Sequence, residues 1–360
     1  MKVIEKYILS KILSPFIFCF ILISSIYIII DISTKLEHII KHKVALNVVA
    51  EYYMYSFPKI VFQIIPLCLL VAAIYSLTKM NKTNEIIAMR ACGISFSTIL
   101  KPYFTIATIL VVLMFWNQEK LIPSSYQKLK NIDYILEGKI KEKVYKNITF
   151  YAQGNRIIFA SKFFPDEKLL DHVVILEQNF NKNVLYKITA ESAQYVKDKW
   201  ILYNLIIYKF NSKGTGIEEA VTLSKKEYDL KEHPKDILIT EVEITNLPFK
   251  TLMKRISNFR GISDEVVRRL AVELYHKFSF PFTNLVLLFL GLFVGLKSHQ
   301  ASLLKGLGIA LLIGFSYYTL DAISYSLGKI GLLPPFIGAF FANILFLSAG
   351  SYLLFKTVKN

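Results

Sequence analysis

A chain of 360 residues with a mean hydropathy of +0.43 is 54% hydrophobic and still 19% charged. The two facts fit if charge is segregated, and most of it lies between Glu119 and Lys277 with apolar flanks, so a membrane protein with one sizeable soluble domain is predicted. The formal net charge of +16 is mostly lysine, and no compact basic patch is interleaved with aromatics, which disfavours nucleic acid and points to acidic lipid.

Residues 12–30 carry no charge and reach about 28 Å as a helix, long enough to cross a bilayer. The run is too long for a signal h-region and no small-residue cleavage site follows it, so it reads as a retained span. Asp31, Lys35, Glu37, His38, Lys41 and Lys43 come next. Lys35 there suits an anionic lipid headgroup, the alternative being a solvated loop. Residues 60–78 form the second span.

The polar loop after it, residues 79–97, reads KMNKTNEIIAMRACGISFS and organises the chain. Thr83 or Asn84 is expected to cap a short helix at about 83–93, with Glu85 in the first turn, where a carboxylate suits the helix dipole, and Gly93 as the stop. Ile86, Ile87 and Met89 give this helix an apolar side that needs a partner surface; the plain alternative is an interfacial turn.

Residues 102–118 are the third span, and 119–139 continue helix-like. From residue 143 the texture becomes β. Short β-branched or aromatic runs at 157–159, 173–176, 193–196, 200–210, 220–223 and 237–244 alternate with turn residues, which suggests a sandwich or jelly roll. Pro248 closes that domain, and 249–259 and 264–276 read as helices. Spans four to six are 278–296, 306–328 and 334–355. The domains are then 1–118 with spans one to three, 119–277 with a β core at about 143–245, and 278–360 with spans four to six. Lys and Arg near the span ends favour both termini in the cytoplasm, which puts the organising loop there and the β domain outside.

Chemistry-bearing patterns are sparse. Gly291-Leu-Phe-Val-Gly295-Leu-Lys297 has the wrong spacing for a phosphate loop. Cys19, Cys68 and Cys92 include no pair at metal-ligand spacing. His233, His276 and His299 are isolated, and Asp264, Glu265, Arg268, Arg269 and Glu273 read as a helix face, so no catalytic or metal site is expected. Asp321 in span five is an intramembrane carboxylate and so a functional candidate. Alternatively it is wetted near the outer interface or bonded to Tyr317, Tyr318 or Tyr325.

The segment NEIIAMRACGIS, the run VRRLAVELYHKFSFPFTNLVLLFLGLFVGL and the ending YYTLDAISYSLGKIGLLPPFIGAFFANILFLSAGSYLLFK together resemble the LptF/LptG (YjgP/YjgQ) permeases of lipopolysaccharide export. The Leu-Asp of span five and the Pro-Pro-x-Ile-Gly opening of span six resemble the LptG branch more than LptF. The resemblance covers the whole chain. It implies a mixed membrane fold of six transmembrane α-helices, three plus three, with an inserted extracytoplasmic all-β jelly-roll-like domain. It also implies an inner-membrane permease subunit of an ABC transporter, non-catalytic itself and binding no cofactor. An LptB-like ATPase dimer would use the ATP, beside an LptF-like second permease, LptC and LptA-like periplasmic bridge proteins, and lipopolysaccharide as cargo. Glu85, Ile86, Met89, Arg90 and Gly93 would couple to the ATPase, with Glu85 matching the family's acidic residue. Spans one and five would form a lateral gate, making Asp31, Lys35, Tyr317 and Asp321 gate or cavity candidates. Asp31 stands where LptG often has lysine, and Lys35 follows one turn later. The rival readings are LptF or another ABC permease, a membrane-anchored scaffold or sensor, and an intramembrane enzyme built on Asp321. That enzyme would need a second catalytic group at Asp321's depth, and none is evident in the sequence.

Overall fold

The computed structural model describes residues 3–136, 145–152, 156–165, 167–179, 183–196, 198–211, 216–228, 234, 244–259, 264–297 and 303–359. The chain divides into two compact units, one of Met1–Gly138, Asn246–Leu252 and Arg268–Asn360, the other of Lys139–Thr245 and Met253–Val267.

The first unit is helical. It holds α1 (Val3–Lys41), α2 (Leu46–Lys82), the short α3 (Glu85–Ala91), α4 (Phe96–Trp116), a π turn at Asn117–Leu121 and α5 (Ile122–Leu136). Among the described residues six helices are long and apolar enough to cross a membrane, as expected. The first is longer than its apolar run: α1 has 39 residues, about 58 Å of helix against a hydrocarbon layer of about 30 Å. Its charged ends extend it, with Glu5 in the first turn and His38 and Lys41 in the last, each sign favourable to the helix dipole.

The second unit carries β1 (Tyr145–Ala152), β2 (Arg156–Phe164), β3 (Leu169–Gln178), β4 (Val184–Val196), β5 (Lys199–Phe210) and β6 (Ile217–Tyr228). They form one antiparallel sheet paired in chain order. Because side chains alternate across a strand, register stacks apolar residues in rows on one face. Ile158, Ile175 and Ile188 make one row, and Ala160, Val173, Ala190 and Leu205 the next. Both rows belong to one buried cluster with Phe163, Trp200 and Leu202. β1 was not expected, and the expected strand at 237–244 falls outside the described residues except for Ile244, which lies in a short helical turn.

The chain continues through α6 (Phe249–Phe259), α7 (Asp264–Ser279), a 3-10 turn at Phe280–Phe282, α8 (Thr283–Lys297), α9 (Leu303–Ile330) and α10 (Pro335–Lys359). In the helical unit α2 packs against α8, α1 and α9, and α10 packs against α8 and α9. The most apolar window of α2 is 72% buried, and so is that of the span through α7 and α8, against 11% for α1 and 28% for α9. The first two are therefore the interior helices, and α1 and α9 turn most of their apolar surface outward. Helices meet closely in lipid through small residues. Gly291 and Gly295, the pair that superficially resembles a phosphate loop, are such a contact: a Cβ on Gly295 would lie 2.7 Å from the Leu77 Cβ of α2.

Candidate functional site

α3 begins at Asn84, which adopts φ 58° and provides no side-chain cap, contrary to the capping expected of Thr83 or Asn84. Asparagine tolerates this left-handed conformation better than most residues. The Thr83 hydroxyl lies 3.1 Å from Lys79 O and 2.9 Å from Glu85 Oε1. The C-terminus is a Schellman closure: Gly93 has φ 79°, its N–H donates to Arg90 O, and Ile94 N–H donates to Met89 O. Gly93 is thus the stop its position predicts.

Two interactions tie α3 into the bundle. The Tyr7 hydroxyl donates to Glu85 Oε2 at 3.0 Å, and Lys11 Nζ lies 3.6 Å from Glu85 Oε1. Tyr7 and Lys11 are one turn apart on α1, so Glu85 is held by that helix. One turn before α3, Asn81 donates through Nδ2 to Gly295 O and Leu296 O, at 2.9 and 3.0 Å. These are among the last carbonyls of α8, which lack intrahelical donors.

The apolar side of α3 is divided between the chain and its surroundings. Ile86 is buried in the core with Ile8, Met80 and Ile99, and Met89 packs at its edge. Ile87 is half exposed, and the exposed Arg90 stacks over the Phe96 ring at 5.3 Å. Of the three residues expected to face a partner, Ile86 is buried, Met89 is shared between the edge of the core and an open groove, and Ile87 points outward. Beside it an apolar groove of about 360 Å³ is lined by Val3, Ile4, Tyr7, Glu85, Ala88 and Met89.

At the far end of α1, Asp31 accepts hydrogen bonds from Lys35 Nζ at 2.9 Å and from the Tyr53 hydroxyl at 2.8 Å. Lys35 also bonds the Tyr52 hydroxyl, with its ammonium 4.0 Å above that ring. Lys35 therefore lies on α1 and not in a solvated loop. Its charge is balanced within the same helix.

Asp321 is buried, and its partner is His276, with Nε2 3.1 Å from Oδ2. None of the tyrosines expected to bond it does so among the described contacts. Tyr325 bonds Glu273 instead, and Lys329 Nζ lies 3.8 Å from the same carboxylate. Glu273 is buried as well, not part of a solvated helix face. His276 brings a second ionisable group to Asp321 that is not evident in the sequence, because the contact spans 45 residues.

Tyr317 is fully buried and bonds Thr283 at 2.7 Å and Asn343 at 2.6 Å. Asn343 in turn donates to Ser279 O at 2.7 Å. This polar chain joins α8, α9 and α10 from within, so Tyr317 meets neighbouring helices and not the surface where a gate would open. The outward face of α9 belongs to Leu311, Leu312, Phe315 and Ile323. A shallow depression of about 610 Å³ runs along it over Phe315, Thr319, Ile323 and Leu327. A photo-crosslinker at Phe315 is expected to capture membrane amphiphile, and one at Tyr317 only protein. Lipid adducts of equal yield at both positions would contradict this assignment of the two faces.

The family model for the lipopolysaccharide export system permease LptF/LptG matches residues 6–356, and the chain belongs to that family. It is a multi-pass membrane protein of the permease type. No curated protein matches it.

Proposed function

We propose that this member of the LptF/LptG family is one permease half of an ATP-driven exporter that extracts lipopolysaccharide from the inner membrane for delivery to the outer membrane. The observation that carries the reading is the family match along nearly the whole chain, 6–356, joined to the outward apolar faces of α1 and α9. The ending quoted above favours the LptG branch over LptF. An LptB-like ATPase dimer binds and hydrolyses the ATP, and this chain binds no cofactor. A second, LptF-like permease completes the lipid cavity, and LptC and LptA-like proteins receive the cargo from the β unit.

Coupling runs through α3. The partner meets Ile87 and Arg90 and enters the groove beside Ala88. Glu85 passes the displacement to α1 through Tyr7 and Lys11, and Asn81 keeps the same turn fixed to α8. α1 can answer because so little of its apolar window is buried, while α2 and α8 stay as the frame.

The Lys and Arg bias near the span ends supports a cytoplasmic position for both termini and α3, with the β unit in the periplasm. A cysteine at Asn211, in a chain with Cys92 replaced by serine, is expected to react with an impermeant maleimide in intact spheroplasts. Reaction only after membrane disruption would reverse the orientation. Purification in mild detergent tests the assembly: a separately encoded ATPase and a second permease are expected to follow this chain, whereas a scaffold or sensor would bring neither.

A further inference from the structure

Lys277, near the end of α7, is a buried lysine with its ammonium unbonded among the described residues. Its side chain is 5% exposed, and among the described residues Nζ has no hydrogen-bond partner. The acids in its neighbourhood are engaged elsewhere. Glu273, one turn back, is held by Tyr325 and Lys329. The Glu119 carboxylate accepts the Phe249 N–H at 2.9 Å, at the start of α6. Glu273 and Glu119 attract this ammonium from a distance, but no group hydrogen-bonds it, and a buried ammonium with its N–H groups unmet is strongly unfavourable and, within a membrane span, marks a functional site.

A cavity of about 310 Å³ opens beside it, lined by Lys277, Phe115, Gln118, Glu119, Phe249, Lys250 and Phe278. Phe249 and Phe278 meet edge-to-face at 4.7 Å, and Phe115 lies 6.1 Å from Phe278. Lys250 is exposed and adds a second cation at the rim. Phe115 stands at the end of α4, where the polar π turn begins, so the cavity sits at an edge of the apolar layer. Its size suits one small polar group with the apolar stem that follows it, not a lipid of many chains.

We propose that this cavity binds the phosphodiester of an anionic diacyl phospholipid from the surrounding bilayer. Lys277 is the buried counter-ion, Lys250 attracts the phosphate at the rim, and the three phenylalanines hold the glycerol and upper acyl carbons. The inference needs only that the chain spans a bilayer and stands apart from the exporter reading. The resident lipid would fasten the end of α4 to the start of α6 and the end of α7, a lipid-dependent brace separate from α1 and α9.

Native mass spectrometry of the full chain in detergent tests this, with phosphatidylglycerol, phosphatidylethanolamine, lipopolysaccharide and inorganic phosphate as probes. The wild-type chain is expected to retain phosphatidylglycerol about tenfold more tightly than phosphatidylethanolamine. Lys277→Met is expected to lose that preference and Lys277→Arg to keep it, an effect of the size of one charge-assisted hydrogen bond. Inorganic phosphate and lipopolysaccharide are expected not to displace the phospholipid. Unchanged phosphatidylglycerol binding by Lys277→Met overturns the proposal, as does displacement by either competitor. Should Lys277→Met fold poorly, Lys250→Gln with Phe249→Leu carries the same test on the rim and wall, with the same loss expected. Loss of ATPase copurification with lipid retention intact would count against the exporter reading alone.

Discussion

Glu85→Lys is expected to leave the chain inserted and folded while lowering lipopolysaccharide-stimulated ATP hydrolysis of the reconstituted complex about tenfold or more. The carboxylate accepts from Tyr7 and Thr83 and faces Lys11 at 3.6 Å. Reversal sets two ammonium groups against each other and removes two acceptors at once. Both partners of the ion pair are partly exposed, so the cost to folding alone is about 1 kcal/mol. The cost to coupling is larger, because the reversal breaks the Tyr7 and Lys11 contacts through which α3 would move α1, and a tenfold loss of stimulated hydrolysis corresponds to about 1.4 kcal/mol. Tyr7→Phe separates the two roles. It leaves the Glu85 charge available to a partner but deletes the hydroxyl that joins α3 to α1. It is expected to keep the ATPase bound while reducing stimulation. Hydrolysis and copurification both unchanged in Glu85→Lys would remove this residue from the coupling path.

The second large effect is on the bundle itself. Gly338→Leu is expected to lower the thermal midpoint of the detergent-solubilised chain by about 1–4 °C, from an overpacking cost of about 1–3 kcal/mol spread over the unfolding entropy of 360 residues. A Cβ at Gly338 would stand 2.7 Å from Gly328 Cα and 3.2 Å from Ser324 O, so only backbone movement of α9 against α10 relieves it. Gly308→Ala is the control, since nothing lies within 4 Å of a Cβ there. Equal midpoints for the two variants would contradict the close approach of α9 and α10.

The uneven legibility of this chain has physical causes. Six apolar runs announce themselves because the bilayer sets one length for all of them. Strands β2 to β6 were each marked by a β-branched or aromatic run, whereas β1 was not. Its sequence, YKNITFYA, places Lys146 and Asn147 where alternation would have been read. The short α3 was legible from Glu85 and Gly93, but its orientation was not. Periodicity says that Ile86 and Met89 share a side, and only the fold says that the side belongs to α1 and α4. The pairing of Asp321 with His276, the bonds from Asn81 to the end of α8 and the unbonded ammonium of Lys277 depend on helices meeting across long stretches of sequence. The surroundings of Lys35 were hidden for a local reason: Asp31 lies one turn away on the same helix, and α1 continues past both instead of ending in a loop.

The central claim is that α3 receives force from a nucleotide-hydrolysing partner. A photo-crosslinker at Ile87, half exposed on the outward side of α3, tests it most directly in intact membranes. The predicted result is an adduct between this chain and a soluble ATPase subunit, with a yield that changes on trapping the ATP-bound state. Adducts to lipid alone, or to further copies of this chain, with no ATPase captured in either nucleotide state, would contradict it.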